Sequence, residues 1–188
     1  NGDSNVGRTL LAEYTFGTSA YTGCSHGTSR TSQAVGPRNN QGAATGVAYK
    51  SSLYFIRGCE DVVLDLSSER TAVKNACTRL GNNRNVKVIS MSIGTPFSSS
   101  VLKDGVDYAY GKGKLILAAA GTSLNWTTWY GVIYPAAYSS CVAVTGVNDN
   151  GATCASCHDG SQVMYTNVIE RSANSNRNTF ELPQSGTT

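Results

Sequence analysis

Three consecutive stretches decide the fold: Val86-Lys87-Val88-Ile89-Ser90-Met91-Ser92-Ile93-Gly94, then Val101-Leu102-Lys103-Asp104-Gly105-Val106-Asp107-Tyr108-Ala109, then Leu115-Ile116-Leu117-Ala118-Ala119-Ala120-Gly121. The first is rich in β-branched residues and reads as a strand over 86–93. In the second, Val101, Leu102, Val106 and Ala109 recur at helical spacing within 98–110, and Gly111 and Gly113 stop the helix. The third is a short, continuous aliphatic run over 115–120, the pattern of a strand buried on both faces.

Outward from this core the alternation continues. Leu53-Tyr54-Phe55-Ile56 is β-prone, residues 69–80 place Ala72, Val73, Ala76 and Leu80 on one helical face, and 141–147 reads as a further strand. The order β-α-β-α-β predicts an α/β fold with a mostly parallel sheet, right-handed crossovers and helices on both sides. Open parallel sheets place their sites in the loops beyond the carboxyl ends of the strands. Those ends are Ser92-Ile93-Gly94, Gly121-Thr122 and the loop after Val147. Residues 148–188 are polar and irregular, with short strands expected around 162–168.

The chain of 188 residues suits one domain with a substantial core. Only 14% of it is charged, with 20 glycines and long Ser/Thr/Asn-rich stretches, which fits a loop-rich secreted protein. Its net charge of +3 comes from scattered Lys and Arg without a basic run, so nucleic acid is not an expected partner. The aliphatic run over 115–120 is far short of the roughly 20 residues of a spanning helix, so no membrane partner is expected. The polar opening Asn1-Gly2-Asp3-Ser4 contains no N-terminal signal. Six cysteines allow up to three disulfides, which persist outside the reducing cytosol, so a secreted or extracellular location is expected.

The chain has two histidines, and any general-base reading must choose between them. His26 lies in Ser25-His26-Gly27-Thr28, ahead of a segment over 28–34 that can start a helix. His158 ends Cys154-Ala155-Ser156-Cys157-His158, which matches the C-x-x-C-H spacing of covalent haem attachment, with Met164 as a second axial candidate. Haem binding, metal binding and a disulfide are the three readings of that segment. No Asp/Asn cluster has calcium-ligand spacing.

Six segments carry a resemblance. His26-Gly27-Thr28, Gly46-Val47-Ala48, Ile89-Ser90-Met91-Ser92-Ile93-Gly94, Ala118-Ala119-Ala120-Gly121, Tyr134-Pro135-Ala136 and Val142-Ala143-Val144, in that order, resemble the subtilisin-like serine peptidases from about Gly7 to Thr188. The resemblance implies a three-layer α/β/α fold around a mostly parallel sheet. It implies a serine endopeptidase acting by acyl transfer on protein or peptide substrates, or a fragment of one, with His26 as general base. The family's oxyanion asparagine is Thr122 here, whose hydroxyl has shorter reach; Asn125 folding back is the alternative donor. Backbone groups of Ser92, Ile93 and Gly94 would line an extended peptide, and Ala119, Ala120 and Gly121 would wall a first specificity pocket with room for a large apolar side chain. No cofactor or metal is required, and calcium would enter only as a structural ion.

The resemblance implies that both remaining members of the triad fall at the margins of the sequence. Ser185-Gly186-Thr187-Thr188 resembles the start of the family's nucleophile motif, which places the nucleophile either at Thr188 or at a serine just after it. The family's aspartate would lie about thirty residues before the histidine, and Asp3 is too close, its surroundings resembling a later turn. The expectation is therefore one catalytic domain over 1–188, cut just after the aspartate segment and at or just before the serine. Its remaining segments could be partners of a cleaved domain. A catalytically silent module that binds a peptide or partner protein is the alternative.

Overall fold

The computed structural model describes residues 10–15, 26–38, 45–59, 63–64, 66–122, 131–148, 150–154, 156–168, 172–174 and 177–181. In chain order its elements are β1 (Leu10–Thr15), α1 (His26–Val35), β2 (Leu53–Arg57), α2 (Ser67–Asn82), β3 (Val88–Met91), α3 (Ser100–Gly111), β4 (Leu115–Ala119), β5 (Val142–Val147), β6 (Val163–Val168), β7 (Ser172–Asn174) and β8 (Arg177–Glu181). They fall into two compact units, Asn1–Arg57 with Glu170–Gln184, and Gly58–Ile169 with Ser185–Thr188.

In the first unit β1 and β2 pair in parallel, as strands joined through a helix do. Helix α1 begins at His26 itself, two residues before the expected 28–34 segment, and the Thr31 hydroxyl donates back to the Gly27 carbonyl at 2.7 Å. The turn through Gly46-Val47-Ala48 docks under the end of α1, where the N–H groups of Val47 and Ala48 donate to the carbonyls of Gln33 and Ala34 at 3.0 and 2.8 Å. These two bonds satisfy carbonyls that the end of a helix leaves without intrahelical partners. Strands β7 and β8 form an antiparallel pair, and α1 packs on β7.

The second unit is a four-stranded, all-parallel sheet in the order β3-β4-β5-β6. Helix α2 follows the 69–80 periodicity, with Ala72, Val73 and Ala76 buried. The Glu69 carboxylate accepts the Leu66 N–H at 3.0 Å and closes its first turn. Helix α3 starts at the Ser99 cap, whose hydroxyl accepts the Leu102 N–H at 3.4 Å. The Tyr138 hydroxyl fixes that cap from outside, accepting the Ser99 N–H at 3.0 Å and donating to the Ser99 carbonyl at 2.8 Å. Helix α2 packs on α3, and α3 on β4. Lys114 is buried, with its ammonium donating to the carbonyls of Asn83 and Val86, both at 2.8 Å. That pairing offsets the cost of burying a charge and satisfies carbonyls just past the end of α2.

Register explains where β4 departs from expectation. Val88 faces Leu115 and Ile89 faces Ile116 across the β3-β4 pair. Ile89, Met91, Ile116 and Ala118 are buried, whereas Val88 and Leu115 are 50% and 49% exposed. Side chains alternate faces along a strand, so β4 is buried along one face and at its C-terminal end rather than on both faces throughout. That C-terminal end is where the site-forming residues lie.

Candidate functional site

The carboxyl ends of β3 and β4 are tied together by a third segment. Tyr134 exchanges two backbone bonds with Thr95, its carbonyl accepting at 2.8 Å and its N–H donating at 2.9 Å, and the Ile133 N–H donates to the Ala120 carbonyl at 3.0 Å. The Ala120 N–H in turn donates to Val144 on β5 at 2.8 Å, and the Gly94 carbonyl accepts the Leu64 N–H at 2.8 Å. The stretches Ser92-Ile93-Gly94 and Ala119-Ala120-Gly121 are thereby joined through residues 133–134. Tyr134-Pro135 is a cis peptide, and the Tyr134 ring packs on Tyr138 with centroids 4.8 Å apart.

The gap between the two glycines is occupied. A Cβ placed on Gly94 would fall 2.3 Å from Ile133 Cδ1, and one placed on Gly121 would fall 3.0 Å from Ile133 Cγ1. Ile133 therefore lies against both walls. Ile133, from a third segment, lies in the space the small residues alone are expected to leave for a large apolar side chain. Tyr134-Pro135-Ala136 carries the family resemblance, but nothing in it signals that the preceding residue packs against Gly94 and Gly121.

Gly121 has φ +113°, a conformation side-chain-bearing residues rarely adopt, and a Cβ there would also meet His158 Nδ1 at 2.6 Å. His158 is 4% exposed. Its N–H donates to the Gly121 carbonyl at 2.9 Å, and its carbonyl accepts the Thr145 hydroxyl. Burial lowers the imidazole pKa, partly opposed by the Gly131 and Ala120 carbonyls, so His158 is neutral at physiological pH. Thr122 follows, exposed, and forms an antiparallel bridge with Cys157.

Cys154 and Cys157 are joined in a disulfide, with Cα atoms 5.1 Å apart. Both sulfurs of the C-x-x-C-H segment are thus spent on each other, which is the disulfide reading of that segment. The histidine is also enclosed against Gly121. The sequence had already marked the loop after Val147 as one of three expected site loops; its contact with Gly121-Thr122 is what the pattern alone did not reveal. Cys77 and Cys141 have thiols pushed up to about 12 by burial, so neither offers a thiolate nucleophile.

His26 belongs to the first unit, half-buried at the first residue of α1, and the Gly27 beside it lies near the Phe55 ring, 3.8 Å from a Cβ built there. The second unit brings together Ser92, Ile93, Gly94, Ala119, Ala120, Gly121 and Thr122. Asp3, Cys24, Asn125 and Ser185-Gly186-Thr187-Thr188 lie outside the described residues. Among the described residues no three His, Cys, Asp or Glu side chains converge as a metal site, so no residue is assigned to calcium. Among them, too, no helix is long and apolar enough to cross a membrane.

Comparison with known proteins places this geometry. The model of the subtilase family matches residues 13–183. Thermitase from Thermoactinomyces vulgaris is 36% identical over 130 residues, covering 68% of this chain and 43% of its own. The minor extracellular protease Epr of Bacillus subtilis (strain 168) is 29% identical over 141 residues, 75% of this chain and 21% of its own. The matched stretch thus spans less than half the length of either relative. Among solved structures, MycP1 with its N-terminal propeptide removed superposes with a TM-score of 0.72 over 97% of this chain and 74% of its own, at 16% identity. The fold is accordingly the α/β architecture with a parallel sheet and helices on both sides.

Proposed function

The chain belongs to the subtilase family, and from that premise we propose that the complete protein is a secreted serine endopeptidase that cleaves peptide bonds through an acyl-enzyme. The observation that carries the reading is the joining of the β3 and β4 ends through 133–134, which sets two backbone edges and a glycine-lined gap beside Thr122. A peptide would lie extended along Ser92, Ile93 and Gly94, held by main-chain bonds, with the side chain before the scissile bond entering the gap walled by Ala119, Ala120 and Gly121. His26 takes the proton of the attacking serine and returns it to the leaving amine. The Thr122 hydroxyl donates to the oxyanion as negative charge develops there. Triad serine and aspartate are assigned to no described residue. The Cys154–Cys157 disulfide supports an extracellular site of action, as does the similarity to Epr, a minor extracellular protease.

Labelling native material with a fluorophosphonate tests the activity. The expected result is one adduct, on a serine directly following Thr188 or on Thr188 itself, found by peptide mass spectrometry. Native protein that binds peptide yet takes up no label would establish the silent module instead.

Ile133 sets the preference. Because it already touches both glycine walls, the pocket favours Ala or Ser over Phe or Leu before the scissile bond. Replacing Ile133 by glycine removes four carbons from the gap. Selectivity in kcat/KM for Phe over Ala substrates is expected to rise about tenfold to a hundredfold, since each methylene accommodated in an apolar pocket is worth roughly 1 to 3 kcal/mol of discrimination. Unchanged selectivity in a panel of peptide substrates would show that the side chain binds elsewhere.

A further inference from the structure

The disulfide loop over 154–157 has no part in the acyl-transfer scheme, yet its backbone meets the oxyanion residue. Its first end is fixed to β5, where the Cys154 N–H donates to the Gly146 carbonyl at 3.1 Å and Val147 bridges Thr153. The Cys157 N–H donates to the Cys154 carbonyl at 3.0 Å, closing a single turn that the disulfide then locks. Beyond that turn the chain returns to β5 through the Thr145 hydroxyl on the His158 carbonyl. Between these anchors, Cys157 bridges Thr122 and His158 bonds Gly121 at 2.9 Å. Both cysteines are 6% exposed, so the lock is enclosed within the fold.

A hydroxyl on a short side chain reaches the oxyanion only from a narrowly defined backbone position. Donors of this kind act by being fixed before charge develops, and a displacement of about 1 Å can cost a hundredfold in rate. Thr122 lies three residues beyond the end of β4, where a chain has more freedom than within a ladder, and the antiparallel bridge to Cys157 with the His158–Gly121 bond is what continues its ordering. We propose that the Cys154–Cys157 disulfide is a positioning element for the Thr122 oxyanion donor, acting through the Thr122–Cys157 bridge and the His158–Gly121 bond. Only Thr122's role in this proposal rests on the peptidase reading; the coupling of the loop to residues 121–122 stands apart from it.

Two measurements on the complete protein test the two parts separately. In the first, amide exchange is followed by mass spectrometry for the peptide containing 120–122, in wild type, in the Cys154→Ala/Cys157→Ala variant, and in wild type reduced with dithiothreitol. The reductant converts the disulfide to two thiols and is itself oxidised to its cyclic disulfide. Exchange at 120–122 is expected to quicken at least tenfold in both altered forms, with peptides of α2 and α3 unchanged. Equal exchange in all three forms would overturn the proposal whether or not the protein is a peptidase, and the reduced wild type decides the matter if the variant does not fold. In the second, a double-mutant cycle pairs the cysteine change with Thr122→Val. Loss of the disulfide is expected to lower kcat about tenfold to a hundredfold, with KM within twofold, when Thr122 is present, and to have little further effect when it is valine. Equal losses in both backgrounds would reduce the disulfide to general stabilisation and overturn the positioning role.

Discussion

Replacing His26 by alanine in the complete enzyme is expected to lower kcat/KM by about ten-thousandfold or more, carried almost entirely by kcat. In the proposed mechanism the imidazole acts on protons alone. It holds no part of the substrate in the ground state, so its removal leaves peptide binding along Ser92, Ile93 and Gly94 in place. It withdraws the base that activates the nucleophile and the acid that protonates the departing amine. Residues of a triad act as a unit, so the loss approaches that of removing the whole constellation, and the residual rate reports what the oxyanion donors and substrate binding supply without it. His26 is the first residue of α1 and half-buried, so the variant should fold. Steady-state kinetics with matched thermal melts checks both statements. A loss of less than tenfold in a folded variant would remove His26 from the mechanism, and since His158 is enclosed and neutral against Gly121, no second histidine stands ready to replace it. Fluorophosphonate labelling should slow in parallel, because it depends on the same activated serine.

What could be read in the sequence divides along the range of the interactions. Periods of two and 3.6 are local, and they located β2, α2, β3, α3, β4, β5 and β6 to within a few residues. Where those elements stopped was legible too, because Gly111 and Gly113 follow directly on the apolar face of α3. β1 and the β7-β8 pair were not expected. Their segments are short and carry no distinct period, and each exists by pairing with a strand or helix elsewhere in the first unit. The candidate site divides in the same way. Ser92, Ile93, Gly94 and Gly121 could be placed at strand ends from strand patterns, and the family resemblance added Ala119 and Ala120 beside them. Ile133 and the 157–158 segment could not, since each reaches the site only through contacts with residues more than ten positions away in the chain. A local pattern yields the strand ends and misses the residue that packs against them.

Gly121 is where those long-range contacts meet, and it supports the second large prediction. Two costs arise on replacing it with alanine, and the molecule offers a means to separate them. Gly151 has φ +80° and nothing within 4 Å of a Cβ built on it, so Gly151→Ala incurs only the backbone cost, about 1 to 2 kcal/mol. Gly121→Ala incurs a comparable backbone cost at φ +113° and in addition drives a methyl to 2.6 Å from His158 Nδ1 and 3.0 Å from Ile133 Cγ1. Neither neighbour can retreat freely. His158 is held by its bonds to Gly121 and Thr145, and Ile133 by its N–H on Ala120. Overpacking of this sort adds about 1 to 3 kcal/mol, which brings the total to about 3 kcal/mol and the expected fall in melting temperature to roughly 6 to 12 °C, against about one third to two thirds of that for Gly151→Ala. Activity should fall more steeply than stability, because the same methyl pushes against the segment that holds Thr122 and against the residue that narrows the pocket. Paired melting curves and kinetics of the two variants read both effects. Equal destabilisation by the two substitutions would mean that the enclosure of Gly121 by His158 and Ile133 is not the constraint the geometry describes, and with it would go the physical basis for treating the 157–158 segment as part of the site.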